Sequence, residues 1–197
     1  MSPRGSDVRE RMLDSTDTLI RQRGASATSL DNILAHSGAP RGSLYYYFPG
    51  GRTQLIEETV ERAGASIEQL IASAGDHSPI EVFDGFVKAW RDDLIASSFQ
   101  AGCPVLAVAI ETQDETPQLT EAAARAFTSW RSALAALLRR HGASPAEARR
   151  LANLVIAAVE GAVALSRAEQ SPQPLDDAAR ALRPLLQRTT APHSKKP

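Results

Sequence analysis

The densest chemistry in this 197-residue chain lies between Arg41 and Tyr47, which hold an arginine, a glycine, a serine and all three tyrosines. A solvated helix face seldom carries three adjacent tyrosines, and a core helix uses more leucine and valine. Guanidinium and hydroxyl donors beside a helix start are what phosphate oxygens require. Arg41 suits a phosphate or a guanine edge equally, and residue type alone does not choose. Other reactive groups are sparse. His36, His77, His141 and His193 are scattered, and Cys103 is the single cysteine, so neither a metal site nor a disulfide framework is expected. The stretch from Gly38 to Ser43 lacks the Gly-Lys ending of a phosphate loop, and no Gly-x-Ser-x-Gly elbow occurs. The expectation is no catalytic residue, no metal and no cofactor: not an enzyme.

Charge supports this reading weakly. Residues 1–55 carry Arg4, Arg9, Arg11, Arg21, Arg23, Arg41 and Arg52 against Asp7, Glu10, Asp14, Asp17 and Asp31, a net of +2 in a chain of net −1. Arg4, Arg9 and Arg11 read as a solvated arm. The amino-terminal residues lack the apolar run of a secretory signal, and no apolar stretch reaches the ~18 residues of a membrane span. The expectation is a cytoplasmic protein with no membrane partner.

The elements that must position the tyrosine run read as helices throughout, with no strand signal. Asp7 with Glu10 suits a capping box for a first helix ending near Gly24. Thr28 with Asp31 suits a second, opening a short helix that Gly38 stops. Pro40 suits the first turn of a third helix, which runs to about Tyr47. Two short helices joined by a glycine turn, with a supporting helix before them, are the geometry that sets a helix in the DNA major groove. A fourth helix follows over about Arg52–Ala74. Ser78-Pro79-x-Glu81 opens a fifth, Pro104 to about Gln113 forms a sixth, and Thr116-Pro117 opens a seventh to about His141. Ser144-Pro145-x-Glu147 opens an eighth to about Glu169, and about Leu175–Arg188 forms a ninth. The domains expected are 1–51, a helix-turn-helix DNA-binding head, 52–189, a helical body, and 190–197, a disordered tail.

The pattern Thr28-Ser-Leu-x-x-Ile33, then Gly38-x-x-x-Gly42-Ser-Leu-Tyr-Tyr-Tyr-Phe48, then Leu55, closely resembles the TetR-family signature. The extra residue before Arg52 and the Gly102-Cys103-Pro104 break are similar to its LmrA/YxaF-like branch. The resemblance implies an all-α regulator of about nine helices that binds an operator in double-stranded DNA, most commonly as a repressor. It implies DNA contacts by Arg41, Gly42, Ser43, Tyr45, Tyr46 and Tyr47, a phosphate contact near Thr28, and Arg52 in place of the usual phosphate-binding lysine. Pro40 stands where the family often has serine, and Tyr47 where histidine is common. Leu30, Ile33, Leu44 and Phe48 read as core.

Helix-turn-helix proteins bind half-sites about one DNA turn apart, ~34–36 Å, as dimers. The eighth helix offers Leu151, Leu154, Val155, Ala158, Ala162 and Leu165 on one face and Ala157, Gly161 and Ala164 on another, one for the core and one for a partner. Leu182 and Leu186 of the ninth helix join the first set, and the resemblance implies a homodimer through these two helices. A ligand pocket for a small hydrophobic molecule is expected from Phe86, Trp90, Cys103, Leu106, Ile110, Phe127 and Trp130, with Glu111, Gln113 and Asn153 as polar candidates. The resemblance further implies that such a ligand shifts the body and changes the spacing of the heads. A helical protein-binding adaptor is the rival reading, and it has no need of the tyrosine run.

Overall fold

The computed structural model describes residues 3–111 and 116–190, with side chains over residues 7–188 of those ranges. Gln113 and residues 191–197 of the expected tail lie outside the described residues. Among the described residues there are nine helices and no strand: α1 (Pro3–Arg23), α2 (Leu30–Ser37), α3 (Arg41–Tyr47), α4 (Gly51–Ala72), α5 (Pro79–Ala96), α6 (Pro104–Glu111), α7 (Pro117–Arg140), α8 (Pro145–Glu169) and α9 (Gln173–Thr190).

Helix starts follow local chemistry. At α5 the Ser78 hydroxyl accepts the Glu81 N–H at 3.3 Å while the Glu81 carboxylate accepts the Ser78 N–H at 2.7 Å. These bonds hold the Glu81 carboxyl below its ordinary value. The same reciprocal box, Ser144 with Glu147, opens α8. Two expected boxes form differently. Because α1 begins at Pro3, Asp7 is interior and pairs with Arg11 one turn on, at 2.6 Å. At α2 the cap is Ser29, whose hydroxyl accepts the Asn32 N–H at 3.2 Å, not Thr28.

Packing divides the chain into two compact units, Met1–Ala65 with Cys103–Phe127, and Ser66–Gly102 with Thr128–Pro197. The border follows contacts rather than chain order, so it does not coincide with a cut after residue 51. In the first unit Met12, Leu13, Leu19, Ile33, Leu44, Phe48 and Leu55 form one core. In the second, buried faces of α5, α7, α8 and α9 form another around Leu94, Leu137, Leu138, Val159, Leu175 and Leu186. The helix α9 carries Pro184 on its exposed side, so the ring is kept out of the core while Leu182 and Leu186 point in.

One expectation is corrected here. The helix α8 is long and apolar enough to cross a membrane by length and composition, with a mean hydropathy of 1.5 over an 18-residue window. Of that window 44% is buried within the protein, where Leu151, Val155, Val159 and Ala162 pack in the core of the second unit.

Candidate nucleic-acid interface

The helix α3 is short because its sequence starts and stops it quickly. Pro40 at the N-cap has extended backbone (φ −61°, ψ 135°) and offers no side-chain cap. Ser43 closes the first turn in another way: its N–H and hydroxyl both donate to the Pro40 carbonyl, at 2.9 and 2.6 Å. Gly38, at φ 64°, turns the chain between α2 and α3 and donates its N–H to the Leu34 carbonyl at 3.0 Å.

Two side chains anchor α3 inward, Leu44 and the fully buried Phe48, with the Arg9 guanidinium 5.3 Å from the Phe48 ring centroid. That fixes the opposite side outward. Tyr45 is 62% exposed and Tyr46 75%, both well beyond what a core aromatic shows. Tyr47 is half-buried against the core, and the Tyr46 ring meets it edge-on at 4.8 Å between centroids. Arg41 is exposed and ion-paired with Asp31 of α2. Gly42 is exposed, and nothing lies within 4 Å of where a Cβ would stand, so no packing contact within the protein demands glycine there.

Two expected phosphate contacts are placed elsewhere. Thr28 is fully buried, and its hydroxyl donates to the Gly24 carbonyl at 2.8 Å. Arg52 turns inward: Nε donates to the Thr28 carbonyl at 2.7 Å, and Nη2 to that of Ala25. Burial pulls the Arg52 guanidinium below its ordinary value, and Glu111 opposes that shift. Both residues tie down the loop over 24–28 from within. Glu111, at the end of α6, completes the tie by accepting the Ser26 N–H at 2.8 Å. Gly24 at φ 85° leaves the space, since a Cβ there would stand 2.1 Å from Glu111 Oε1. Residue type suggests Glu111 as a polar ligand group, and this loop contact is not legible in sequence. Gly24 marks the helix end in sequence, but the carboxylate it makes room for lies 85 positions beyond Ser26. Arg9 and Arg11 are also partnered, Arg9 with Glu58 and Arg11 with Asp7, rather than forming a free arm.

Residues 12–59 match the family of bacterial regulatory proteins called tetR, and residues 79–181 match the C-terminal domain of LmrA/YxaF-like transcriptional regulators. The chain belongs to the TetR family. An HTH-type transcriptional regulator of Mycobacterium tuberculosis is 42% identical over 90% of this chain and 93% of its own. The HTH-type transcriptional regulator LmrA of Bacillus subtilis is 34% identical over 86% and 91%. A crystal structure of a TetR regulator from Chloroflexus aurantiacus superposes with a TM-score of 0.76 at 27% identity, over 95% and 98% of the two chains. TetR-family proteins are transcription regulators rather than enzymes; they bind DNA operators and dimerise.

The remaining candidates fall in different places. A hollow of about 30 Å³ in the second unit is lined by Phe86 and Trp130 with Ile71, Phe83, Val159 and Glu160. Trp90 is outside this lining but meets Phe86 edge-on at 6.4 Å. Cys103, Leu106, Ile110 and Phe127 belong to the first unit. There Cys103 is buried and its sulfur accepts the Leu106 N–H at 3.4 Å, while Ile110 is 72% exposed. Of the expected dimer residues, Leu151, Val155, Ala162, Leu182 and Leu186 are consumed by the core of their own unit, with Ala158 packed against it. Leu154 and Leu165 are 47% and 55% exposed.

Proposed function

We propose that this TetR-family chain is a cytoplasmic repressor that binds a two-fold operator as a homodimer and releases it when a small hydrophobic ligand enters the body. The observation that carries the DNA reading is the outward face of α3, with Tyr45 and Tyr46 exposed beside Arg41 and the bare backbone of Gly42. Phenol hydroxyls and a guanidinium reach phosphates and base edges, and a glycine lets a sugar-phosphate strand approach the helix. Ser43, bonded to Pro40, sets the start of α3 and is a positioning residue; so are Thr28 and Arg52 through the loop they hold.

Dimerisation is assigned to the outer face of α8. Leu154, Ala157, Gly161, Ala164, Leu165 and Ala168 are exposed and recur at three- and four-residue spacing, a continuous apolar stripe. Gly161 has open space where a Cβ would stand, so packing inside the protomer gives no reason for a glycine there. A partner helix approaching closely does.

The hollow beside Phe86 and Trp130 is far below the ~300–1,000 Å³ of a drug-sized site, so a ligand must part its walls. That requirement is useful in a sensor, because a ligand that binds only the opened form shifts the equilibrium towards it. A coupling of about 1–3 kcal/mol changes operator affinity roughly 5–150-fold.

The test is fluorescence anisotropy on duplexes from the region upstream of the protein's own coding sequence. Binding should fall steeply with salt and weaken roughly 5–150-fold in Tyr46→Ala. Hydrophobic compounds that raise the Tm should then release that DNA. Salt-insensitive binding, or Tm hits that leave the complex intact, would sink the corresponding half of the reading.

A further inference from the structure

We propose that the groove between α7 and α8 is a ligand site for an oligophosphate, independent of the DNA face and of the apolar hollow. It is an open groove of about 500 Å³, within the ~300–1,000 Å³ range of small-molecule sites. Arg131, Arg139 and Arg149 line it with Thr128, Ser132 and Asn153, over a floor of alanine and proline, and no carboxylate takes part. Each guanidinium offers a planar fork of donors matched to phosphate oxygens.

The charge is local. Between residues 128 and 153 stand Arg131, Arg139, Arg140, Arg149 and Arg150, and the sole carboxylate is Glu147. Glu147 is committed to the α8 capping box with Ser144. Elsewhere in the same unit arginines meet acids: Arg183 with Asp84 at 2.7 Å and Arg91 with Asp176 at 3.3 Å. Among the described residues, no such pair engages Arg139 or Arg149. In a chain of net charge −1 this concentration is a departure, not the general state of the surface.

Helix electrostatics explain only part of it. Arg139 and Arg140 occupy the last turn of α7, where the carbonyl ends favour cations. Arg149 and Arg150 stand near the amino end of α8, where helix polarity gives cations no benefit. Arg131 is held ready across the groove, donating to Thr128 Oγ1 at 3.0 Å and to Asn153 Oδ1 at 3.4 Å. Spacing selects the ligand class. Arg131 and Arg139 lie about 12 Å apart along α7 at ~1.5 Å per residue. Linked phosphates span that separation and let each arginine take its own phosphate, whereas a single phosphate would have to draw both arms to one point.

The experiment is calorimetric titration of the full-length protein, in low salt, with inorganic triphosphate, ATP and inorganic phosphate. Triphosphate should bind saturably, one per protomer, at least tenfold more tightly than phosphate. An Arg139→Ser/Arg149→Ser double variant should lose at least tenfold in affinity, and an Arg188→Ser control on α9 less than twofold. Equal binding of ATP assigns the site to nucleotides, and exclusion of ATP assigns it to free oligophosphate. Absence of saturable binding, or unchanged affinity in the double variant, overturns the proposal. So does a short duplex that, in a Tyr46→Ala background, outcompetes triphosphate at this groove.

Discussion

The helices α3 and α8 present their outward faces by opposite means. The first is a short helix whose inward Leu44, with Phe48 at its C-cap, differs in kind from its outward Tyr45 and Tyr46. The second is a 25-residue helix whose outward Leu154, Ala157 and Leu165 are the same residue types as its buried Leu151, Ala152 and Ala162. A polar-aromatic surface announces itself in sequence, while an apolar surface beside an apolar core does not. Glycines sort the two faces in another way. Gly24 is required by a contact inside the protein, whereas Gly42 and Gly161 meet nothing there. A glycine with no internal reason, on a face already marked by other residues, points to something outside the chain.

The largest expected effect tests the anchoring of α3. Phe48→Ala empties a fully buried site and should cost about 3–5 kcal/mol in chemical denaturation. If DNA binding then fails while Tyr46→Ala leaves stability untouched, anchoring and contact are separable. Tyr46→Ala and Arg41→Ala should each weaken operator binding by about 1–3 kcal/mol, roughly 5–150-fold, with unchanged circular dichroism. Asp31→Ala, which releases Arg41 from its pair, should move binding the other way.

On α8, Gly161→Leu should raise the dimer dissociation constant by more than tenfold in sedimentation, whereas Gly161→Ala should add about 0.5–1 kcal/mol of helix stability within the protomer. Dimerisation unaffected by Gly161→Leu would place the partner on another face. The smallest effect concerns the second unit's scaffold. Ser78→Ala should lower the Tm by about 2–4 °C at neutral pH. Because the folded Glu81 carboxyl titrates below its ordinary value, this stabilisation is present above the unfolded value and is lost as pH falls through the folded one. The gap between parent and variant should therefore narrow as pH falls through the folded Glu81 titration, and the part carried by the Glu81 N–H to Ser78 hydroxyl bond should remain.

Legibility followed the range of the interactions. Helix boundaries set by neighbours, such as Ser78 with Glu81 and Ser144 with Glu147, were written locally and formed as expected. Thr28 was misassigned as a cap because Ser29, one position on, has equivalent chemistry and the geometry chose between them. Arg52 is expected at a phosphate because it stands where the family usually has a phosphate-binding lysine. Its inward turn depends on the Ala25 and Thr28 carbonyls, whose orientation no local pattern encodes. The stripe on α8 was split between two faces in sequence, and only burial assigned Leu151 and Val155 inward and Leu154 and Leu165 outward.

The tie between Glu111 and the loop over 24–28 bears on synthesis as well as on shape. A chain grows from its amino end at ~5–20 residues per second, so Glu111 is joined roughly 4–17 s after Ser26. Until then the helices that carry Tyr45 and Tyr46 exist without the carboxylate that closes their supporting loop. The region made first thus waits on a residue made much later, and a nascent or truncated head lacking Glu111 is not equivalent to the head of the complete protein.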